Sequence, residues 1–157
     1  KYPSVANHTI WMAERYKDLL KDIFENKILT EDFSLYLHRP TATDETFAPS
    51  GKDSFYVLCP VPNLQAPIDW DKEGPLLKDK IVKSLSETIM PDLDKNIEAD
   101  FWMTPKDFKN DYRSMHGAGF SIAPIFFSLL LSSILFFNSL RYSVVPSFEL
   151  LSHKITS

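Results

Sequence analysis

Apolar positions along this chain follow two periods, and each predicts a kind of element. Tyr16, Leu19, Leu20, Ile23 and Phe24 fall three and four residues apart, with Lys17, Asp18, Lys21, Asp22 and Glu25 between them. One apolar stripe and one solvated side predict an amphipathic helix over 13–26. Residues 32–38 instead alternate. Phe33, Leu35 and Leu37 face one way, and Ser34, Tyr36 and His38 the other, which predicts a half-buried strand. Residues 54–59 form a short continuous apolar run bounded by Gly51 and Pro60, as expected of a strand covered on both faces. Pro60, Pro62 and Pro67 then predict an extended exit without regular pairing.

A second helix is predicted over 75–90. Pro75 suits a first helical turn, Leu77, Ile81, Leu85 and Ile89 recur every fourth residue, and Pro91 ends the pattern. Residues 97–103 alternate again, with Ile97, Ala99, Phe101 and Met103 against Glu98, Asp100 and Trp102. Thr104 followed by Asp107 predicts the start of a helix over 105–115, with Phe108, Tyr112 and Met115 on its buried face. Residues 39–53, with Pro40, Pro49 and Gly51, read as a long loop of the kind that often covers something. The first 125 residues therefore read as α+β, with a mixed or antiparallel sheet and helices packed on it. No GxGxxG follows any strand, so a Rossmann nucleotide fold is absent.

The tail has a different character. From Gly117 to Leu140 there is no charged residue, and 126–140 is a Leu/Phe/Ser run. Periodicity leaves three readings for it: a membrane-inserting helix, a buried helix, or a non-native tail such as a frameshifted reading. Elsewhere charge is interleaved. The net charge of -4 argues against a nucleic-acid partner, which calls for a basic face. The single cysteine, Cys59, excludes an internal disulfide and reads as a small buried hydrophobe. His8 and His116 have no partner at metal-ligand spacing, so no metal site is expected. Asp69/Asp71 and Asp92/Asp94 read as solvated loop acids. The opening Lys1-Tyr2-Pro3 reads as interior sequence rather than a start.

Several segments together resemble the bacterial phytoene desaturases. His8-Thr9-Ile10, then Arg15-Tyr16 and Ile23-Phe24, are similar to that family's "HHTI…RY…IF" stretch. Residues 32–40 with Ala48-Pro49 resemble its "DFSLYLHxPT…AP", and 54–62 its "SFYVLxPVP". Asp69-Trp70 with Glu73-Gly74-Pro75 resembles "DW…EGP". Thr104-Pro105, Asp107-Phe108 and the segment from Gly117 to Pro124 resemble "TPxDF…GxAFSIxP". The resemblance holds in order over about 120 residues and stops near Ile125, before the family's Gly-rich flavin segment. That abrupt stop favours the frameshift reading of 126–157, with a membrane-inserting segment as its rival.

The resemblance implies a substrate-binding portion, over 1–125, of an FAD-dependent oxidoreductase that dehydrogenates C–C single bonds of a long polyene in carotenoid biosynthesis. FAD would be the cofactor of the complete enzyme, its binding motifs lying outside this chain. The partners implied are a phytoene-like polyene and a membrane surface, and the location a bacterial cytoplasm with peripheral membrane association. A carotenoid isomerase, or a desaturase of C30 or hydroxylated carotenoids, would share these motifs, and a non-catalytic lipid-binding or membrane-surface module is the reading of another class. The resemblance assigns substrate contact to His38, Phe55, Tyr56, Phe101 and Phe120, and cofactor contact to Gly117 and Gly119. The residue-level alternatives are a structural histidine at 38, plain core for the aromatics and a helix C-cap for the glycines.

Overall fold

The computed structural model describes residues 1–119 and, as backbone, 132–138. Five strands form one sheet: β1 (His8–Trp11), β2 (Leu35–His38), β3 (Phe55–Val61), β4 (Phe101–Met103) and β5 (Ser132–Asn138). Their spatial order is β1-β2-β3-β5-β4, and every neighbouring pair is antiparallel. Four helices accompany it: α1 (Tyr16–Lys21), α2 (Trp70–Glu87), α3 (Leu93–Asn96) and α4 (Pro105–Tyr112). The α+β reading with an antiparallel sheet is borne out.

The core lies between one face of the sheet and α2. Leu35, Leu37, Phe55, Val57, Cys59 and Val61 point to that face and pack with Leu77, Ile81 and Leu85 of the helix. Alternation along the strands and a four-residue repeat along the helix meet here, so the two sequence periods describe the two sides of one apolar layer. This inner face is sealed: Leu37, Cys59 and Ile81 have no exposed surface.

Helix α2 begins at Trp70, five residues before the predicted start at Pro75. Asp69 is its N-cap, accepting the Asp71 N–H at 3.2 Å, so Pro75 lies inside the helix rather than in its first turn. Gly74 precedes that proline, and its lack of a Cβ eases the conflict a proline imposes on the residue before it. The predicted helix over 13–26 is split. After α1 the chain widens into a π-helical turn, Asp22–Asn26, closed by Lys27 at φ 56°. The Asp22 carboxylate accepts from Arg15 and Asn26, and its carbonyl accepts from Ile28 N–H, which fastens the widened turn. The helix start at Thr104 holds: Asp107 Oδ2 accepts both the Thr104 N–H at 2.7 Å and the Thr104 hydroxyl at 2.6 Å.

Three strand expectations need correction, the first being the alternation over 97–103, which forms a strand only at Phe101–Met103. The run after Cys59 does not leave the sheet at once, because β3 continues through Pro60 to Val61. The β2 ladder reaches only Leu58, so Pro60 has a strand on one side alone, opposite Ser133 of β5. A residue with no N–H to donate is tolerated where pairing is one-sided. Nor does all of the tail stand apart from the sheet. Ser132–Asn138 lies between β3 and β4, with Val57 opposite Phe136 and Trp102 also opposite Phe136. The run Ile134 to Phe137 is rich in β-forming residue types, and two strand edges otherwise lacking a neighbour receive it. The rest of the tail lies outside the described residues.

The long loop 39–53 is fastened to the chain's first residues. Asp53 accepts the Tyr2 N–H at 2.6 Å and the Thr41 hydroxyl at 2.8 Å, and Arg39 donates to the Tyr2 carbonyl at 2.6 Å. The Asp53 side chain is 6% exposed, with Arg39 Nη1 at 3.6 Å. Burial raises its pKa, but the two hydrogen bonds and the nearby guanidinium outweigh it and hold the carboxyl below its ordinary range.

Candidate functional site

The opposite face of the sheet carries rings in register. His8 on β1 stands across from His38 on β2, and His38 across from Tyr56 on β3. Tyr56 is opposite position 137 of β5, and that position is opposite Phe101 of β4. A single line drawn across the sheet, perpendicular to the strands, therefore meets a ring-bearing residue on every strand. Four inter-strand steps of about 4.8 Å make this line roughly 19 Å long. The next line along the strands runs through Ile10, Tyr36, Leu58, position 135 and Met103.

The ring contacts at the β1 end are close. His8 and His38 stack with centroids 4.7 Å apart and planes 11° from parallel. His8 Nδ1 and the Tyr36 hydroxyl are 2.7 Å apart in a hydrogen bond, and Tyr36 meets Tyr56 edge-on at 6.4 Å. Partial burial, and then the charge of His8, lower the His38 pKa from its ordinary value. Burial pushes the Tyr56 phenol up to about 12. Both shifts favour the uncharged form of the side chain.

Helix α4 bounds this face on one side. Phe108 and Met103 form a small buried cluster against which Tyr56 and Leu58 pack. The capping box at Thr104 fixes where α4 starts, directly after β4, and so fixes where Phe108 lands. At the two ends the face is open: Ile10 is 71% exposed and Phe101 50%.

Three of the residues assigned to substrate, His38, Tyr56 and Phe101, share this face. Phe55 does not. It is buried on the inner face, edge-on to Tyr2 at 6.1 Å, because strand alternation sends neighbours to opposite sides. Phe120 lies outside the described residues. His8 and Tyr36 belong to the face and were not singled out. Tyr36 shares the phase of His38, a signal already present in the alternation over 32–38. His8 needed β1 to be recognised, and a four-residue strand is too short for alternation alone.

The two glycines assigned to cofactor contact lie at the end of the described N-terminal residues. Gly117, at φ +69°, sits so close to Pro105 that an added Cβ would lie 1.9 Å from the Pro105 carbonyl oxygen. Its close approach serves packing between the turn Met115–Gly117 and α4. Gly119 follows as half-buried chain. The N-terminus of α2 is capped by Asp69 and that of α4 by Thr104 and Asp107, so their first N–H groups are engaged within the chain. Among the described residues nothing cradles a pyrophosphate.

No family model matches the chain. It is 48% identical over 122 residues to the lycopene-forming phytoene desaturase of a Paracoccus species, covering 77% of this chain and 24% of that protein. The lycopene-forming phytoene desaturase of Pantoea ananas is 42% identical over 125 residues, 79% of this chain and 25% of the relative. The neurosporene-forming phytoene desaturase of Rhodobacter capsulatus is 43% identical over 125 residues, 78% of this chain and 24% of the relative. The chain spans about a quarter of the length of these curated relatives. Identity of 42–48% over more than three quarters of the chain makes its curated homologues phytoene desaturases.

Proposed function

We propose that this chain forms the substrate side of a flavin-dependent phytoene desaturase, which removes hydrogen from C–C single bonds of a long polyene in carotenoid biosynthesis. The observation that supports this most is the 48% identity to a phytoene desaturase over 122 residues. Accepting the hydrogen would be the chemistry that a bound flavin supplies. This chain's own contribution is binding and orientation. His38, Tyr56 and Phe101 offer the polyene a neutral aromatic face, and the α2-packed core behind them keeps that face rigid.

The relatives differ in product, lycopene or neurosporene. A second reading takes a C30 substrate, supported by 33% identity to a 4,4'-diapophytoene desaturase of Methylomonas over 131 residues. A hydrocarbon substrate partitions into lipid, so the enzyme works at the cytoplasmic surface of a membrane. Among the described residues no helix is long and apolar enough to cross one. The acidic balance of the chain leaves nucleic acid out of its set of partners.

The unit over 1–125 is family sequence in this reading, and 126–157 departs from it. The genomic frames around the codons for Ile125 to Phe127 test that boundary. An alternative frame encoding an aromatic-polar stretch and then a Gly-rich segment is expected, and the absence of one removes the frameshift origin. The activity is tested by expressing the full-length protein with phytoene and FAD and following product absorbance. Lycopene or neurosporene formation supports the reading, and an inert, flavin-loaded protein overturns it.

A further inference from the structure

The sheet brings together two histidines that chain spacing keeps apart. We propose that His8 and His38 form a binding site for a divalent transition-metal ion of the zinc, nickel or copper class, and that the ion clasps strand β1 to β2. Three observations carry this, and none depends on the substrate reading.

The first is register. His8 of β1 is directly opposite His38 of β2. The Arg39 N–H donates to the Asn7 carbonyl at 2.8 Å, so these two residues are a hydrogen-bonded pair of the ladder. The alternation of an antiparallel ladder makes His8 and His38 the next pair, without hydrogen bonds, in which opposite side chains stand closest. Their rings accordingly lie 4.7 Å apart, with planes 11° from parallel. Two nitrogens sharing one tetrahedral ion stand about 3.3 Å apart, given metal–nitrogen bonds of about 2.0–2.1 Å. Turning one imidazole out of the stack covers that difference.

The second is the neighbour of His8. Its Nδ1 is 2.7 Å from the Tyr36 hydroxyl. A histidine that ligates through Nε2 carries its proton on Nδ1 and donates it to a neighbour, which fixes the tautomer and the ring. Tyr36 is placed to accept that proton. His8 is the held ligand, and His38 is the ring that turns to meet the ion.

The third is the setting. His8 is exposed and His38 half-buried, so an ion reaches the pair from solvent. Among the described strands β1 is outermost, pairs with β2 alone and has only four residues. An ion with one ligand from each strand binds only while they are paired, so it stabilises the pairing by mass action. No group of three or more His, Cys, Asp or Glu ligands occurs among the described residues, so water fills the remaining positions. Neutral imidazole selects these borderline ions over magnesium and calcium, which take oxygen ligands.

The test uses the full 157-residue chain, freed of metal by a chelator and titrated with zinc chloride in a non-coordinating buffer. By NMR, the imidazole signals of His8 and His38 should move together and saturate at one ion per chain, with the larger nitrogen shift of His8 at Nε2. Excess magnesium should leave zinc bound. The Thr9 N–H belongs to the next hydrogen-bonded pair, opposite Leu37. At zinc ten times its dissociation constant, its hydrogen exchange should slow about tenfold. Signals of His116 or His153 that move first, binding that needs millimolar zinc, or an unchanged Thr9 exchange rate overturns the proposal. His8→Gln and His38→Phe should each weaken zinc binding at least tenfold, and His116→Gln less than twofold. Undiminished binding in either of the first two overturns the site. Tyr36→Phe should keep the site but spread the metallated signal over both nitrogens of His8, and an unchanged nitrogen pattern overturns the positioning role of Tyr36. If a variant does not fold, the titration of the unmodified chain decides alone.

Discussion

Gly74 of α2 lies against the indole of Trp102 on β4: a Cβ at position 74 would sit 2.7 Å from Trp102 Cζ3 and 3.0 Å from Thr104 Cγ2. The absence of one methyl lets the helix settle on the far edge of the sheet. It also joins α2 to the segment that starts α4.

Gly74→Ala is therefore expected to destabilise the protein despite alanine's better helix propensity. The propensity gain is about 1 kcal/mol, and forcing a methyl between two neighbours costs about 1–3 kcal/mol. Urea unfolding should show a lower midpoint. A raised midpoint would mean that Trp102 yields freely.

Asp53 predicts an acid-sensitive fastening. Its folded pKa lies below the ordinary value of 3.8, so its contribution is complete above that value and is lost as pH falls through the folded pKa. Asp53→Asn should cost about 1–3 kcal/mol at pH 7. The gap between wild type and variant should close only below pH 3.8. A gap that stays constant down to acid unfolding would show that the charge of Asp53 is immaterial.

His38 responds in the same sense over a higher range. Its folded pKa is below 6.5, so the unfolded chain binds protons first and stability declines as pH falls from 6.5 toward the folded value. His38→Phe should flatten that decline. By NMR, His8→Gln should move the His38 midpoint upward, toward but not past its ordinary value, since burial remains. An unchanged midpoint would remove His8 as a contributor.

Cys59 has no exposed surface, and burial pushes its thiol up to about 12. Alkylation at pH 8 should be negligible in the folded protein and should rise with urea along the unfolding curve. Fast labelling of the native state would show that the layer between β3 and α2 opens readily.

The elements legible in the sequence were those whose period is carried by several residues. The Leu77–Ile81–Leu85 repeat and the Leu35/Leu37 alternation both face the core as read. Thr104 and Asp107 mark a helix start through a local hydrogen-bond pair that needs no tertiary context. The misreadings arose where tertiary pairing overrode local rules. Pro60 looked like the end of a strand because a one-sided ladder is invisible in sequence. Pro75 looked like a first turn because Asp69, the actual cap, sits in a segment that reads as loop. His38, Tyr56 and Phe101 could be named from sequence, but their alignment could not. Register joins strands as far apart in the chain as Phe55 and Asn138, and only the folded sheet displays it.

The position of β5 carries a consequence for how the sheet is made. β1, β2 and β3 can pair as soon as they are synthesised, being neighbours in order. β4, made next, pairs with none of them and must wait for Ser132–Asn138 to arrive between it and β3. During translation the protein therefore passes through a stage in which two strand edges are exposed at once. Such edges attract other chains, and long-range pairing forms slowly. Among the described strands, the one made last is the one that closes both edges.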